Sequence, residues 1–307
     1  MNIQQNKTLI SIVLPTYNGR RWLAESIESV ISQTFTEWEL IIVNDCSTDD
    51  TLKIAENYAN KDSRIRVISN QTNKKLPASL NVGFAEAHGT YLTWTSDDNL
   101  YKPNALAVMS AYLDTHPTTD MVSAGEDFIN ENGDCIGSNL MNFLDRSSKT
   151  LAIHNNVGAA FMYTRNIANK IGEYDENTFC AEDYDYWCRI ALAGRLDYID
   201  DNIYKYRFQN QSLTATKQEQ IREKAKYITL KYKKDFIRNF NLSWWQQWKI
   251  EALVMQTGPV FILSRIHKSF IHYAGLILFF WNPKLRRKLR ASTKIKTSAA
   301  KARSEIG

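Results

Sequence analysis

L-I-S-I-V-L-P-T-Y-N-G runs from Leu9 to Gly19. Its first six residues form an almost unbroken apolar run closed by Pro15, the pattern of a strand buried on both faces. After Asn18-Gly19 the apolar positions Leu23, Ile27, Val30 and Ile31 fall at helical spacing. The alternation then repeats. Leu40 to Val43 reads as a strand running into Asn44-Asp45. Ser47 or Thr48 is expected to cap a helix with Asp49 and Asp50 in its first turn, followed by Leu52, Ala55, Tyr58 and Ala59. Ile65 to Ile68 is a third strand, with a helix from about Pro77 to Ala87. Tyr91 to Thr95 is a fourth strand, ending at Ser96-Asp97-Asp98, and Pro103 suits the first turn of the next helix. Met121 to Ala124 is a fifth, and Asn130 to Gly133 joins a strand pair. Strand and helix alternating at this spacing predict an α/β fold, a doubly wound, mostly parallel, Rossmann-like sheet. Ligands of such sheets sit at the carboxyl ends of the strands. That rule selects Pro15-Thr16-Tyr17-Asn18, Asn44-Asp45 and Ser96-Asp97-Asp98.

Composition agrees with a folded enzyme of this size. The chain has 307 residues, 44% of them hydrophobic and 23% charged, with only 12 Gly and 6 Pro, which excludes disordered and low-complexity classes. Its four cysteines, Cys46, Cys135, Cys180 and Cys188, form no C-x-x-C pair, so neither a zinc knuckle nor a disulfide framework is expected. No secretory leader is expected from the first fifteen residues. A G-x-G-x-x-G fingerprint, a P-loop, a G-x-S-x-G elbow and H-E-x-x-H are all missing, which removes the common dinucleotide, nucleotidase, hydrolase and zinc-protease classes.

Asp97 and Asp98 stand side by side beyond an apolar strand. Adjacent carboxylates repel, and a hard divalent cation, Mg²⁺ or Mn²⁺, removes that cost while completing its shell with water and substrate phosphates. A solvated turn with a helix cap is the alternative. The position at a strand end, with Asp45 on a neighbouring one, favours the metal. Farther on, Cys180-Ala181-Glu182-Asp183-Tyr184 opens a helix whose apolar stripe is Tyr184, Trp187, Cys188, Ala191 and Leu192. Near a helix N-terminus Asp183 stays ionised, as a general base requires, although Glu182 or Asp183 could equally serve as a cap.

Taken in order, S-I-V-L-P-T-Y-N-G (Ser11 to Gly19), I-I-V-N-D-C-S-T-D-D-T (Ile41 to Thr51), S-D-D (Ser96 to Asp98) and A-E-D-Y-D-Y-W-C-R (Ala181 to Arg189) resemble the motif set of family 2 glycosyltransferases, over about residues 8 to 214. The resemblance implies an inverting enzyme of GT-A fold, of the kind that builds bacterial cell-surface polysaccharide. Pro15, Thr16 and Tyr17 then match the loop holding base and ribose. Asp45 matches the acceptor of the uracil or thymine ring N–H. Lys75 lies where relatives place a basic residue near the nucleotide. Asp97 falls nearer the ribose, Asp98 is the metal ligand, and Asp183 is the base that deprotonates the acceptor hydroxyl. Two departures stand out. Asn44-Asp45-Cys46 replaces the frequent D-D-G, and Tyr206-Arg207-Phe208-Gln209 replaces Y-R-x-H, putting Gln209 where relatives have a histidine near the diphosphate or metal. No Q-x-x-R-W signature of processive synthases occurs, so addition of a single sugar is expected.

Charge divides the chain. Residues 221–307 hold 19 Lys/Arg against 4 Asp/Glu, leaving 19 against 29 in the first 220 residues. The tail also holds Trp244, Trp245, Trp248 and Trp281, two apolar runs ending near Leu263 and Trp281, and the cluster Lys284, Arg286, Arg287, Lys288 and Arg290. Neither run approaches the roughly 18–20 residues needed to span a bilayer. Apolar, aromatic and basic segments together suit a membrane interface and anionic lipid. Packing against the catalytic domain ranks second, and nucleic acid last, because consecutive Leu, Ile and Phe make poor nucleic-acid ligands. The expected organisation is a catalytic domain over residues 1–215, a helical membrane-interfacial extension over 216–290 and a disordered basic tail over 291–307. Location on the cytoplasmic face of the cell membrane follows from these features. The expected reaction is metal-dependent transfer of one hexosyl or N-acetylhexosaminyl group from a UDP- or dTDP-sugar to a lipid-linked or polysaccharide hydroxyl. A nucleotide-sugar pyrophosphorylase and a non-catalytic, membrane-recruited sugar-nucleotide binder are the alternatives, the former disfavoured by a first loop that is not Gly- and Arg-rich.

Overall fold

The computed structural model describes residues 9–138, 148–243, 246, 247 and 250. Its elements follow the chain as β1 (Ile10–Thr16), α1 (Leu23–Ile31), β2 (Trp38–Asn44), α2 (Thr51–Ala59), β3 (Ile65–Ser69), α3 (Leu76–Ala85) and β4 (Tyr91–Trp94). Next come β5 (Leu100–Tyr101), α4 (Ala105–Thr115), β6 (Met121–Ile129), β7 (Cys135–Ser138) and β8 (Ala160–Thr164). The described part ends with α5 (Arg165–Ile171), α6 (Glu182–Ala193), β9 (Leu196–Arg207), α7 (Leu213–Thr216) and α8 (Gln218–Phe240). One sheet holds all the strands in the order β3-β2-β1-β4-β8-β6-β9-β5, with β7 paired to β6.

The N-terminal half is the parallel sheet that the apolar runs predict. β1 pairs in parallel with β2 and β4, and β2 with β3. Every residue of β1 is buried, because helices cover both faces. Leu23, Ile27 and Val30 of α1 enter one core cluster with Ile10, Ile12 and Leu14. On the opposite face α3 lies so close to the sheet that a Cβ on Gly83 would overlap Val13.

Beyond β4 the expectation of a mostly parallel sheet is corrected. β8 runs antiparallel to both β4 and β6, β7 returns as a hairpin on β6, and β5 is antiparallel to β9, while β6 and β9 are parallel. The sheet is mixed because no crossover helix separates β6 from β7, and tight or irregular connections return the chain in the opposite sense. A second correction concerns α2. It starts at Thr51, where Asp49 Oδ1 accepts from the Thr51 amide at 3.0 Å. Ser47 and Thr48 instead tie that loop to β1: the Asn18 amide donates to Ser47 Oγ at 3.0 Å, and the Thr48 amide to Asn18 Oδ1 at 2.8 Å.

The chain divides into compact units of Met1–Gln247 and Trp248–Gly307. α8, assigned from sequence to the extension, packs within the first. Ile228 and Phe236 are buried, the Tyr184 hydroxyl on α6 meets Thr229 Oγ1 at 3.1 Å, and Lys231 Nζ lies 2.9 Å from Asp185 Oδ1. Among the described residues no helix is long and apolar enough to cross a membrane. Trp244, Trp245, Trp248, the two apolar runs, the Lys/Arg cluster and the 291–307 tail lie outside the described residues.

Candidate active site

The carboxyl ends of β1, β2 and β4 bring the first motifs together. Thr16 closes β1, its hydroxyl donates to Asp97 Oδ2 at 2.5 Å, and its carbonyl accepts from the Asp45 amide at 2.9 Å. A Cβ on Gly19 would overlap both Asp97 Oδ2 and Thr16 Oγ1, so only glycine lets the chain turn this close to the carboxylate. Pro15 lies within β1, and Tyr17, the next residue after that strand, is about half exposed at the rim.

Asp45 is buried, and its carboxylate is nearly saturated. Oδ1 accepts from Asn70 Nδ2 and the Lys74 amide, both at 2.8 Å, and Oδ2 accepts from the Lys75 amide at 2.9 Å. An ionised carboxylate offers about four lone-pair sites. One is left, on Oδ2, which suits a single ring N–H. Lys75 contributes its backbone amide to this arrangement, from a left-handed conformation at φ 74°. Asn70, which also donates to Ser79 Oγ at 3.0 Å, was absent from the sequence reading. Its position just past β3 was the available signal, since it is another strand end.

Asp97 and Asp98 follow β4. Burial and the neighbouring Asp98 charge push the Asp97 carboxyl up to about 7, while the bond from Thr16 opposes the shift. Burial also raises Asp98, opposed by Gln209, whose Nε2 donates to Asp98 Oδ2 at 3.2 Å. Gln209 thus contacts the Asp98 carboxylate directly. Two hard oxygen donors in electrostatic conflict fit a divalent cation bound by one or two carboxylates. No group of three or more His, Cys, Asp or Glu that could enclose a metal occurs among the described residues, so substrate phosphates and water would complete the shell. Arg207 fixes this loop from behind. Its buried guanidinium donates through Nε to the Asp98 carbonyl at 2.8 Å, through Nη1 to the Asn130 and Glu131 carbonyls at 3.3 and 3.1 Å, and through Nη2 to Glu25 at 2.7 Å.

Asp183 lies in the first turn of α6. Its Oδ1 accepts from the Tyr184 amide at 2.6 Å and Oδ2 from Asn155 Nδ2 at 3.0 Å. Asn155 sits in an irregular loop before β8 and carried no sequence signal. Burial raises the Asp183 carboxyl above its ordinary range, and those two bonds pull it back. Burial and the Asp183 charge push adjacent Glu182 up to about 8, and its Oε2 has no hydrogen-bond partner among the described residues. Backbone amides of Cys180, Ala181 and Glu182 oppose the rise at Glu182 without overcoming it, so Asp183 ionises first and Glu182 keeps its proton. α8 steadies this helix through fully buried Asp185, which meets Lys231 and Tyr232 at 2.9 Å and Arg189 of α6 at 2.9 Å. Burial raises the Tyr206 hydroxyl, the bond with Thr214 opposes that, and the charges of Asp98, Glu126 and Asp183 add to it.

The model of glycosyl transferase family 2 matches residues 11–172, more than half of the chain. The chain belongs to that family. It is 44% identical over 117 residues to the putative glycosyltransferase EpsE of Bacillus subtilis, a match covering 38% of this chain and 42% of that protein. It is 30% identical over 276 residues to the uncharacterized glycosyltransferase MJ1057 of Methanocaldococcus jannaschii, covering 85% and 93% of the two chains. Among solved structures, S. aureus TarS 1–349 in complex with UDP-GlcNAc superposes with a TM-score of 0.61 at 22% identity, over 80% of this chain and 70% of that one. The mannosyltransferase PcManGT from Pyrobaculum calidifontis in complex with GDP-Man and Mn²⁺ superposes with a TM-score of 0.60 at 16% identity, over 95% and 86%. At these identities the structural likeness shows a shared glycosyltransferase fold.

Proposed function

We propose that this family 2 member transfers one hexosyl or N-acetylhexosaminyl group, with inversion, from a UDP- or dTDP-sugar to a hydroxyl of a lipid-linked or polysaccharide acceptor of the bacterial cell surface. The observation that carries this reading is the Asp45 carboxylate with one acceptor site left. That site complements the single ring N–H of uracil or thymine, whereas guanine offers adjacent donors. TarS, solved with UDP-GlcNAc, supports the uridine reading, and PcManGT, solved with Mn²⁺, supports a metal. Pro15, Thr16 and Tyr17 border the base and ribose with Asp97, and Lys75 closes over Asp45. Asp98, with Asp97, would hold Mg²⁺ or Mn²⁺, whose chemistry there is to offset charge on the departing diphosphate. Asp183 takes the proton from the acceptor hydroxyl, and the resulting oxygen attacks the anomeric carbon opposite the leaving group.

Titration calorimetry tests the donor site with UDP, dTDP, GDP and ADP, with and without Mn²⁺. UDP or dTDP should bind best, and more tightly with Mn²⁺. Asp45→Ala should lose about 10- to 100-fold in affinity, the value of a hydrogen bond to a charged group, and Asp98→Ala should lose the Mn²⁺ enhancement. Preference for GDP, or unchanged UDP binding by Asp45→Ala, would refute the reading.

We also infer attachment to the cytoplasmic face of the membrane through an anionic lipid surface. Tyr227 and Leu230 of α8 are 51% and 47% exposed, and helical spacing puts them in one stripe with Lys234 and Arg238. The full chain should co-sediment with phosphatidylglycerol-containing vesicles and not with pure phosphatidylcholine. Reversing Lys234 and Arg238 to Glu should weaken that at least tenfold, at roughly 1 kcal/mol per basic residue near the surface. Equal sedimentation by the variant would remove α8 from the contact.

A further inference from the structure

We propose that Phe128, Tyr206 and Phe208 form a platform that binds a pyranose ring of the acceptor beside the Asp98 loop, an inference that rests on the glycosyltransferase reading above. β6 and β9 run in parallel with Glu126 opposite Tyr204 and Phe128 opposite Tyr206. Side chains two apart on a strand share a face, so Tyr204 and Tyr206 follow one another along β9 from the core outward, and Phe208 comes just past its end. Tyr204 is buried, Tyr206 is half-buried and Phe208 is 48% exposed. The Phe208 ring is not loose. Its centroid lies 5.1 Å from Phe128 and 5.4 Å from Tyr206, with interplanar angles of 83° and 70°, and its amide donates to the Ile129 carbonyl at 2.8 Å.

The platform is anchored to the candidate site on both sides of Phe208. Arg207 holds the Asp98 carbonyl, and Gln209 donates to the Asp98 carboxylate. Tyr206 sits where Asp98, Glu126 and Asp183 all act on its hydroxyl, and it meets Thr214 Oγ1 at 3.3 Å. The order of strands separates this platform from the nucleotide. β2, which delivers Asp45, lies on one side of β4 and its Asp97-Asp98 loop; β6 and β9 lie on the other. A rigid, half-exposed aromatic on that side lies across β4 from the Asp45 end, where the base is proposed to sit. It suits the C–H face of a sugar, which packs on the electron-rich face of an aromatic ring by dispersion and weak electrostatics.

Saturation-transfer NMR of the full chain, in the presence of UDP and Mn²⁺, tests the platform. The probes are the methyl β-pyranosides of glucose, galactose, mannose and N-acetylglucosamine at millimolar concentration. At least one should show saturation at its ring C–H protons. Phe208→Ala should weaken that binding roughly fivefold, the size of one aromatic contact, while Phe208→Trp should retain it and both variants should bind UDP like the parent. An equal signal from Phe208→Ala, or no signal from a parent chain that binds UDP, overturns the platform. A parent chain that binds neither UDP nor any glycoside overturns the donor-site reading instead.

Discussion

Asp183→Asn should bind UDP as tightly as the parent chain and transfer sugar 10²- to 10⁴-fold more slowly, the range that a positioned general base contributes. The amide oxygen still accepts from Tyr184 N–H, so the first turn of α6 keeps that hydrogen bond, while the new NH₂ replaces the oxygen that accepts from Asn155. What the amide cannot do is take a proton. The loss should therefore fall on kcat, with donor affinity unchanged. Full transfer by Asp183→Asn would remove the base, and UDP binding without turnover in the parent chain would leave a sugar-nucleotide binder. The pH profile adds a second reading. The base works ionised, so the rate falls as pH drops through its pKa, which burial raises above the ordinary aspartate range. Asn155→Ala removes a donor to the ionised form. The acid limb should then move to higher pH, with roughly a tenfold loss of rate near neutrality, about the value of a hydrogen bond to a charge. Glu182→Gln should leave that limb in place, because Glu182 is still protonated, with its carboxyl pushed up to about 8, while Asp183 titrates. An Asn155→Ala profile that only scaled down, with its limb in place, would make Asn155 a structural residue.

Arg207→Ala should be among the most destabilising substitutions in the catalytic unit, at about 3 kcal/mol. The guanidinium is buried, and its removal leaves the Asp98, Asn130 and Glu131 carbonyls and Glu25 without their shared donor. For a unit of this size that loss corresponds to a fall of about 10 °C in the unfolding midpoint. Arg207→Lys should recover only part of it, because an ammonium cannot reproduce a planar fork directed at several acceptors. Thermal unfolding followed by circular dichroism measures both. A midpoint shift of Arg207→Ala within about 2 °C, worth only ~1 kcal/mol in a unit of this size, would show that the network contributes little. The same substitution should weaken Mn²⁺ binding, since Arg207 positions the loop that carries Asp98.

Most of the parallel half of the sheet and its strand ends was legible in the sequence. Buried parallel strands need long apolar runs, and Ile10 to Leu14 and Leu40 to Val43 supply them, while edge strand β3 is shorter and carries Arg66. The strand-end rule then pointed to Thr16, Asp45 and Asp97, and the structure brings Thr16, Asp45 and Asp97 into hydrogen-bonded register. The same rule, applied to β3, would also have selected Asn70.

The chain's order of residues thus determined by itself the α/β class, the first four strands, the helix that opens at Glu182 and the residue types at their ends. These follow from local patterns of burial and period that any sequence displays. Tertiary structure alone decided the rest. β8 runs antiparallel between β4 and β6, α8 packs on the helix of Asp183, and Arg207 meets Glu25 from 182 positions away. Asn155 reaches Asp183 across 28 positions, and Asn70 reaches Asp45 across 25. Such contacts have no period, because side chains from distant segments meet only after the sheet has closed and a buried carboxylate has required a donor from whichever loop lies beside it.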